Sequence, residues 1–281
     1  MIEVRNLVKQ YGDHIAVDHL NFTVEKGQVC GFLGPNGAGK STTMNIMTGY
    51  LSPTSGEVII NGYNILDEPE KAKRCIGYLP EIPPLYTEMT VGEYLRFAAE
   101  LKGVPKKDIQ SEIDRVVERT HLKEMYNRLT GNLSKGYRQR VGVAQAIIGS
   151  PEIIILDEPT IGLDPKQIIE IRELIRDLAK EHTIILSSHI LFEVQEVCDR
   201  MLIIDHGKLL ANGSPEELER EIGSSSMEVT VKHENPDYVR STMEKMKNIG
   251  NIEIESSGKN ELSVRFKVNN GADMREEVFY T

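Results

Sequence analysis

Eight residues constrain this chain more than any other stretch: Gly34-Pro35-Asn36-Gly37-Ala38-Gly39-Lys40-Ser41. They fit the pattern G-x-x-x-x-G-K-[ST] at every fixed position, and the flanking residues supply the context the pattern needs. Before the loop, residues 29–33 form a compact apolar run suited to a buried strand, and residues 42–47 after it have helical character. Glycines let successive backbone N–H groups turn inward, and the new helix adds its positive end at the same spot. That combination suits the phosphates of a nucleotide. Lys40 is placed to reach the outer phosphates, and the Ser41 hydroxyl to ligate Mg²⁺.

The rest of the chain agrees with an α/β fold. The first 60 or so residues read as β-rich around one helix, with Ile2 and Val4, then Leu20, Phe22 and Val24, alternating with polar residues. Asn61-Gly62 marks a second hairpin after residues 57–60. Helical spacing follows: Val91, Tyr94, Leu95 and Ala98 share one face, and Ile109, Ile113, Val116 and Val117 another. This predicts a helical subdomain over about 88–150. Strands return at 153–156, 183–186 and 201–204, with a helix over 165–180 between the first two. Strand–helix–strand alternation with apolar strands predicts a mostly parallel sheet covered on both faces.

A polar stretch, Gly223-Ser224-Ser225-Ser226, divides the chain into residues 1–222 and 223–281. Beyond it the pattern reads strand 227–232, helix 236–246, strands 252–255 and 262–268, and a helix start at 272–279. That βαββα order is one strand short of a ferredoxin-like α+β unit, as if the chain were cut within it.

Composition narrows the function. The 281 residues carry 43 acids against 33 bases, a formal charge of -10, so nucleic acid is not an expected partner. The three cysteines, Cys30, Cys75 and Cys198, have no metal-ligand spacing and read as reduced thiols of a cytoplasmic protein. The amino terminus is not a leader sequence, and no apolar run approaches the roughly 20 residues of a membrane span.

Two further motifs carry chemistry. Residues 153–156 lead into Asp157-Glu158, two carboxylates at the end of a buried strand, where parallel sheets bind ligands. Asp157 is expected to hold Mg²⁺ and Glu158 to polarise an attacking water, although acidic residues capping a strand are common in themselves. Leu133-Ser134-Lys135-Gly136-Tyr137-Arg138-Gln139-Arg140 opens the helix 141–148, where Ser134 alone is equally an ordinary N-cap.

Taken together, these three elements resemble the nucleotide-binding subunit of an ATP-binding-cassette (ABC) transporter, of the gliding, bacitracin and sodium-export type. The resemblance covers about residues 1–220 and implies a P-loop NTPase fold of ABC type. The family's L-S-G-G-Q signature keeps Ser134 and Gly136 here, whereas Lys135 and Tyr137 depart. It implies that Ser134 and Gly136 contact the γ-phosphate of ATP bound by a second copy. Gly34 to Thr42 and Tyr11 then bind the nucleotide, with Tyr11 stacked on adenine. Asp164 lies in the loop that couples the two sites, and can serve equally as the N-cap before Pro165. His189 matches the histidine that orients the water with Glu158; a lone histidine at a strand end is otherwise structural. Where most members carry glutamine, this chain has Glu81, which can still ligate Mg²⁺ or simply face solvent.

The resemblance thus implies a transport-coupled ATPase with Lys40, Glu158 and His189 catalytic and Ser41, Asp157 and Glu81 at the metal. Its partners are a second copy, joined head to tail by ATP, and a separate integral-membrane subunit at the inner face of the cell membrane. Leu85, Tyr86, Met89 and Tyr94 are candidates for that subunit's docking groove, or core residues. Lys135 and Tyr137 fit the exporting branch. The rival readings are a soluble ABC-type ATPase acting on nucleic acid or ribosomes, and a module that binds nucleotide without turnover.

Overall fold

The computed structural model describes residues 1–222, 225–233, 235–247, 249–258, 261–268 and 278. The chain opens with β1 (Ile2–Tyr11) and β2 (His14–Val24), whose alternating apolar residues Ile2, Val4, Leu20, Phe22 and Val24 are buried. β3 (Val29–Leu33) is buried at all five residues and runs through the glycine-rich loop into α1 (Lys40–Met47). β4 (Ser55–Ile60) and β5 (Tyr63–Asn64) form the hairpin announced by Asn61-Gly62, both of which have positive φ. Together these outer strands make an antiparallel sheet in the order β2-β1-β4-β5.

After α2 (Pro69–Arg74) and β6 (Ile76–Leu79) come the helices α3 (Val91–Leu101), α4 (Ile109–Arg119) and α5 (Lys135–Ile147). Thr90 starts α3 with a capping box to Glu93. The two apolar faces expected for α3 and α4 are buried throughout. α5 begins at Lys135 rather than Val141, because the Ser134 hydroxyl accepts from Tyr137 N–H at 3.4 Å and caps it. Its far end is tied down by cations, which suit the free carbonyls there. Lys102 donates to the carbonyls of Ala146 and Ile148 at 2.8 and 2.9 Å, and Arg115 to that of Ile147 at 3.0 Å.

The second sheet is completed by β7 (Ile153–Leu156), α6 (Pro165–Ala179), β8 (Thr183–Ser188), α7 (Leu191–Gln195), β9 (Arg200–Asp205) and β10 (Lys208–Gly213), followed by α8 (Pro215–Ile222). Its order is β10-β9-β3-β8-β7-β6, parallel except for β10. β7 and β8 are buried at every residue, as central parallel strands covered on both faces must be. The α/β expectation is met: a mostly parallel sheet, an antiparallel sheet and a helical insertion. Among the described residues no helix is long and apolar enough to cross a membrane.

Contacts divide the chain into two compact units, Met1–Pro215 and Glu216–Thr281. The second contains β11 (Ser225–Val231), α9 (Pro236–Met243), β12 (Ile249–Gly258) and β13 (Glu261–Val268). Its antiparallel sheet has the order β11-β13-β12, and Val239 and Met243 of α9 pack on Leu262, Val264, Phe266 and Val268. Asn235 caps α9, with Pro236 in its first turn. Gly223 and Ser224 of the expected linker lie outside the described residues, as does the helix expected at 272–279 except for residue 278.

Candidate active site

β3, β8 and β7 lie side by side and parallel, so their carboxyl ends deliver Gly34, Ser188 and Asp157 to one edge of the sheet. The loop after β3 is shaped by close approach. Gly39 has φ 101°, and a Cβ there would stand 2.4 Å from the Ala16 carbonyl oxygen; at Gly34 it would meet the Ile204 carbonyl oxygen at 2.2 Å. No other residue type fits either position without moving backbone. Lys40 folds back under this loop, donating to the carbonyls of Gly34 and Pro35 at 2.8 and 3.2 Å. Its ammonium also stands 3.3 Å from Glu158 Oε1, and both side chains are almost wholly buried.

The carboxylates following β7 are held by the end of β8. Ser187 Oγ donates to Asp157 Oδ1 at 2.6 Å and accepts from the Glu158 N–H at 2.8 Å. Ser41 Oγ, at the start of α1, reaches the same Asp157 oxygen at 3.3 Å. Burial pushes the Asp157 carboxyl above the ordinary range, and these two hydroxyls oppose the shift. Glu158 has φ 47°, a left-handed backbone that costs a non-glycine residue about 1 kcal/mol or more. Its other oxygen, Oε2, meets His189 Nδ1 at 3.0 Å. The result is a row of Lys40, Glu158 and His189 beside a pair of Ser41 and Asp157.

Sequence reasoning missed the residues that hold this row. Ser187 is wholly buried between the two carboxylates, and Glu193 of α7 accepts from Thr160 Oγ1 at 2.6 Å and from Ser188 Oγ at 3.2 Å. The signal was a pair of serines at the end of an apolar strand, 187 and 188, where buried hydroxyls need carboxylate partners.

Above this floor opens a cavity of about 470 Å³, lined by Asn36, Gly37, Gly39, Lys40, Ser41 and Thr42, with Glu158, Tyr11 and Glu81 also at its walls. Tyr11 stands at the rim, 49% exposed, with the Lys9 ammonium 5.1 Å over its ring. Glu81 is exposed beside the cavity. Gly34, Pro35 and Ala38 shape the loop from behind: Gly34 N–H donates to Ser188 O, and Ala38 closes a turn to Pro35 O and is buried. A larger groove of about 1110 Å³ lies between α4 and α6 and contains none of the phosphate-loop residues.

Ser134, Gly136 and Asp164 do not line the cavity. Ser134 and Asp164 each cap a helix; Asp164 Oδ1 accepts from Gln167 N–H at 2.9 Å. Gly136 packs on the Gln167 side chain, and the Lys135 ammonium stands over Gly162. Of the docking candidates, Tyr94 belongs to the core instead: it is 3% exposed, and its hydroxyl donates to Gln145 at 2.7 Å. Leu85 and Met89 are half-buried. Tyr86 is 52% exposed, and the nearby Ile82, which sequence reasoning passed over, is 80% exposed. The Cys30 and Cys198 thiols are buried and pushed up, Cys30 to about 12, as unreactive core thiols should be.

Known proteins place this geometry. A family model described as "ABC transporter" matches residues 17–161. The bacitracin transport ATP-binding protein BcrA of Bacillus licheniformis is 44% identical over 212 residues, 75% of this chain and 68% of the relative. The probable multidrug ABC transporter ATP-binding protein YbhF of Escherichia coli is 37% identical over 219 residues, 78% of this chain and 38% of the relative. Among solved structures, an ATP-binding subunit of an ABC transporter aligns at TM-score 0.72 with 33% identity, over 79% of this chain and 93% of the other. A dimeric post-hydrolysis ATP-binding cassette bound to ADP and Pi aligns at 0.70 with 25% identity, over 76% and 98%. With a nucleotide-binding loop, a carboxylate pair and a histidine gathered at one sheet edge, the chain belongs to the ABC transporter family as an ATP-hydrolysing, ATP-binding subunit.

Proposed function

We propose that this subunit powers export by a separate membrane protein, closing head to tail on a second copy when both bind ATP. The observation that carries this reading is the row of buried Lys40 and Glu158 with His189 at its open end, set beside Ser41 and Asp157 at the mouth of the phosphate loop. In it, the loop N–H groups from Asn36 to Thr42 and the Lys40 ammonium hold the β- and γ-phosphates, and Tyr11 at the rim stacks on the adenine. Glu158 polarises the attacking water and His189 orients it while contacting the γ-phosphate.

Ser41 and Asp157 fit a divalent cation. A hydroxyl and a carboxylate oxygen already converge within 3.3 Å, and the carboxylate is buried at a cost that a cation would relieve. Glu81 is the third candidate donor, from the rim. A Mg²⁺ ion held by these residues would supply positive charge to offset that of the phosphates.

Ser134, Gly136 and Asp164 lie off the cavity of their own chain, which supports their acting on the nucleotide of a second copy. Membrane-subunit docking falls to exposed Ile82 and Tyr86, which would hold the subunit at the inner face of the membrane. The relatives named for bacitracin and multidrug transport support export as the direction. The ATPase domain falls within residues 1–222, of which Met1–Pro215 make one compact unit, and residues 223–281 belong to a small ferredoxin-like βαββα domain, one strand short. No observation favours a nucleic-acid or ribosome partner.

The test is Glu158→Gln. It should retain ATP binding, lose hydrolysis by about 10²-fold or more, and accumulate an ATP-bound dimer on size-exclusion chromatography. A variant that stays monomeric with ATP and hydrolyses normally would refute the assignment.

A further inference from the structure

Glu193, on α7, is a buried carboxylate to which the proposed hydrolysis assigns no task. It is 8% exposed, and its side-chain hydrogen bonds among the described residues come from two hydroxyls rather than a cation. Thr160 Oγ1 and Ser188 Oγ both donate to Oε2, at 2.6 and 3.2 Å. An apolar side chain would cost less in such a place, so what distinguishes the carboxylate is what it joins. The two hydroxyls stand at the roots of two loops. Thr160 is buried at the start of loop 160–164, whose Gly162 and Asp164 are exposed. The Leu163 N–H donates to Thr160 O at 3.2 Å and ties the loop to that root. Ser188 is buried at the end of β8, and its Oγ also accepts from the Ile190 N–H at 3.1 Å. That bond closes a turn around the exposed His189. The helix carrying Glu193 is anchored. α7 lies so close to β3 that a Cβ at Gly31 would stand 2.0 Å from Val194 Cγ1, and Val194 is wholly buried.

We propose that Glu193 is a positioning residue that joins loop 160–164 to His189, so that a second copy docking on the loop sets the histidine for hydrolysis. This rests on the head-to-tail closure proposed above. One carboxylate oxygen serves both hydroxyls, so a displacement of Thr160 changes the bond to Ser188 as well. With its helix anchored on β3, Glu193 can follow the loop only by its side chain, and the side chain takes Ser188 with it. Ser188 in turn holds the Ile190 N–H, on the far side of His189. His189 Nδ1 stands 3.0 Å from Glu158 Oε2, so a turn displaced by about 1 Å would misplace the ring against that carboxylate, at a cost of up to about 10²-fold in rate.

The experiment uses the full chain and begins with Thr160→Val, which removes the hydroxyl while keeping the shape of the side chain. The chain has seven histidines; with ¹³C-labelled histidine, the ring signal lost in His189→Gln identifies His189. Without nucleotide, Thr160→Val and Glu193→Ala should both shift that signal, although neither residue is a hydrogen-bond partner of the ring. In ATP hydrolysis each should lower kcat about tenfold or more, with KM for ATP within about twofold. Thr160→Ser and Glu193→Gln can remake the bonds and should stay within about threefold of the wild type. In a Glu193→Ala background Thr160→Val should add nothing, the sign of a shared path rather than a direct effect on nearby Glu158. In a Glu158→Gln background it should leave ATP-driven dimerisation intact, because no phosphate contact is removed. An unmoved His189 signal, an unchanged kcat, or a further loss in the Glu193→Ala background overturns the proposal. So does a kcat that falls only together with ATP affinity and dimerisation, which is bulk destabilisation. A Glu158→Gln chain that stays monomeric with ATP instead overturns the head-to-tail reading and the role of docking, while the histidine signal judges the link between the two loops by itself.

Discussion

The cavity above the phosphate loop has a floor and a rim, and the two are held in opposite ways. On the floor, Lys40, Asp157 and Glu158 are 5%, 3% and 5% exposed, and each has two or more polar partners within the same chain. At the rim, Tyr11 is 49% exposed and Glu81 is exposed. Burial explains the contrast. A charge withdrawn from water must be paired, so the floor is over-determined by this chain alone. A rim residue pays no such penalty and is left to be positioned by what binds there. The same holds for Lys135, which is exposed with its ammonium over Gly162. In the proposed mechanism half of the chemistry is therefore built in, and half is left to nucleotide and a second copy.

The strongest way to break this contrast is Lys40→Ala. It removes the ammonium that the proposed mechanism sets on the phosphates and leaves the Glu158 carboxylate buried with His189 as its remaining partner. We expect hydrolysis to vanish and urea unfolding of the ATPase unit to lose about 3–5 kcal/mol. Lys40→Ala/Glu158→Gln should regain most of that stability while staying inactive. If the single and double variants are equally stable, the floor is not the coupled unit described.

Ser187→Ala comes next. It strips the Glu158 N–H of its acceptor and Asp157 of its shortest hydrogen bond, at about 1–3 kcal/mol. Glu158, already at φ 47°, is then free to relax toward an ordinary backbone. The expected result is a clear fall in kcat with little change in KM for ATP. Unchanged kcat would mean that the left-handed turn holds itself.

Most of the floor was legible because its chemistry needs fixed residue types at fixed spacing. Gly34, Gly39, Lys40 and Ser41 could be read off one loop, and Asp157 and Glu158 off the end of one apolar strand. Their convergence was not legible. It depends on β8 inserting between β3 and β7, a long-range pairing that no local pattern encodes. For the same reason Ser187 and Glu193 stayed hidden: their partners lie about thirty residues away in sequence. Periodicity found the buried faces of α3 and α4 but could not separate a core aromatic from an exposed one. Tyr94 and Tyr86 both lie in an apolar stretch, and the hydrogen bond from Tyr94 to Gln145, on another helix, makes the difference.

Glu81→Gln is expected to have the smallest effect, and it probes the rim itself. The substitution removes one negative charge without changing the side chain's size, at a position open to water. Screened there, a carboxylate contributes at most about 1 kcal/mol to a neighbouring cation. ATP affinity should thus stay within about threefold, the melting temperature should not move, and the Mg²⁺ concentration giving half-maximal hydrolysis should rise a few-fold. An unchanged Mg²⁺ midpoint would leave Glu81 as a solvent-facing residue with no part at the metal. A loss of ten-fold or more in ATP binding would show the opposite, that the rim is as firmly fixed as the floor, and the distinction between the two would fall.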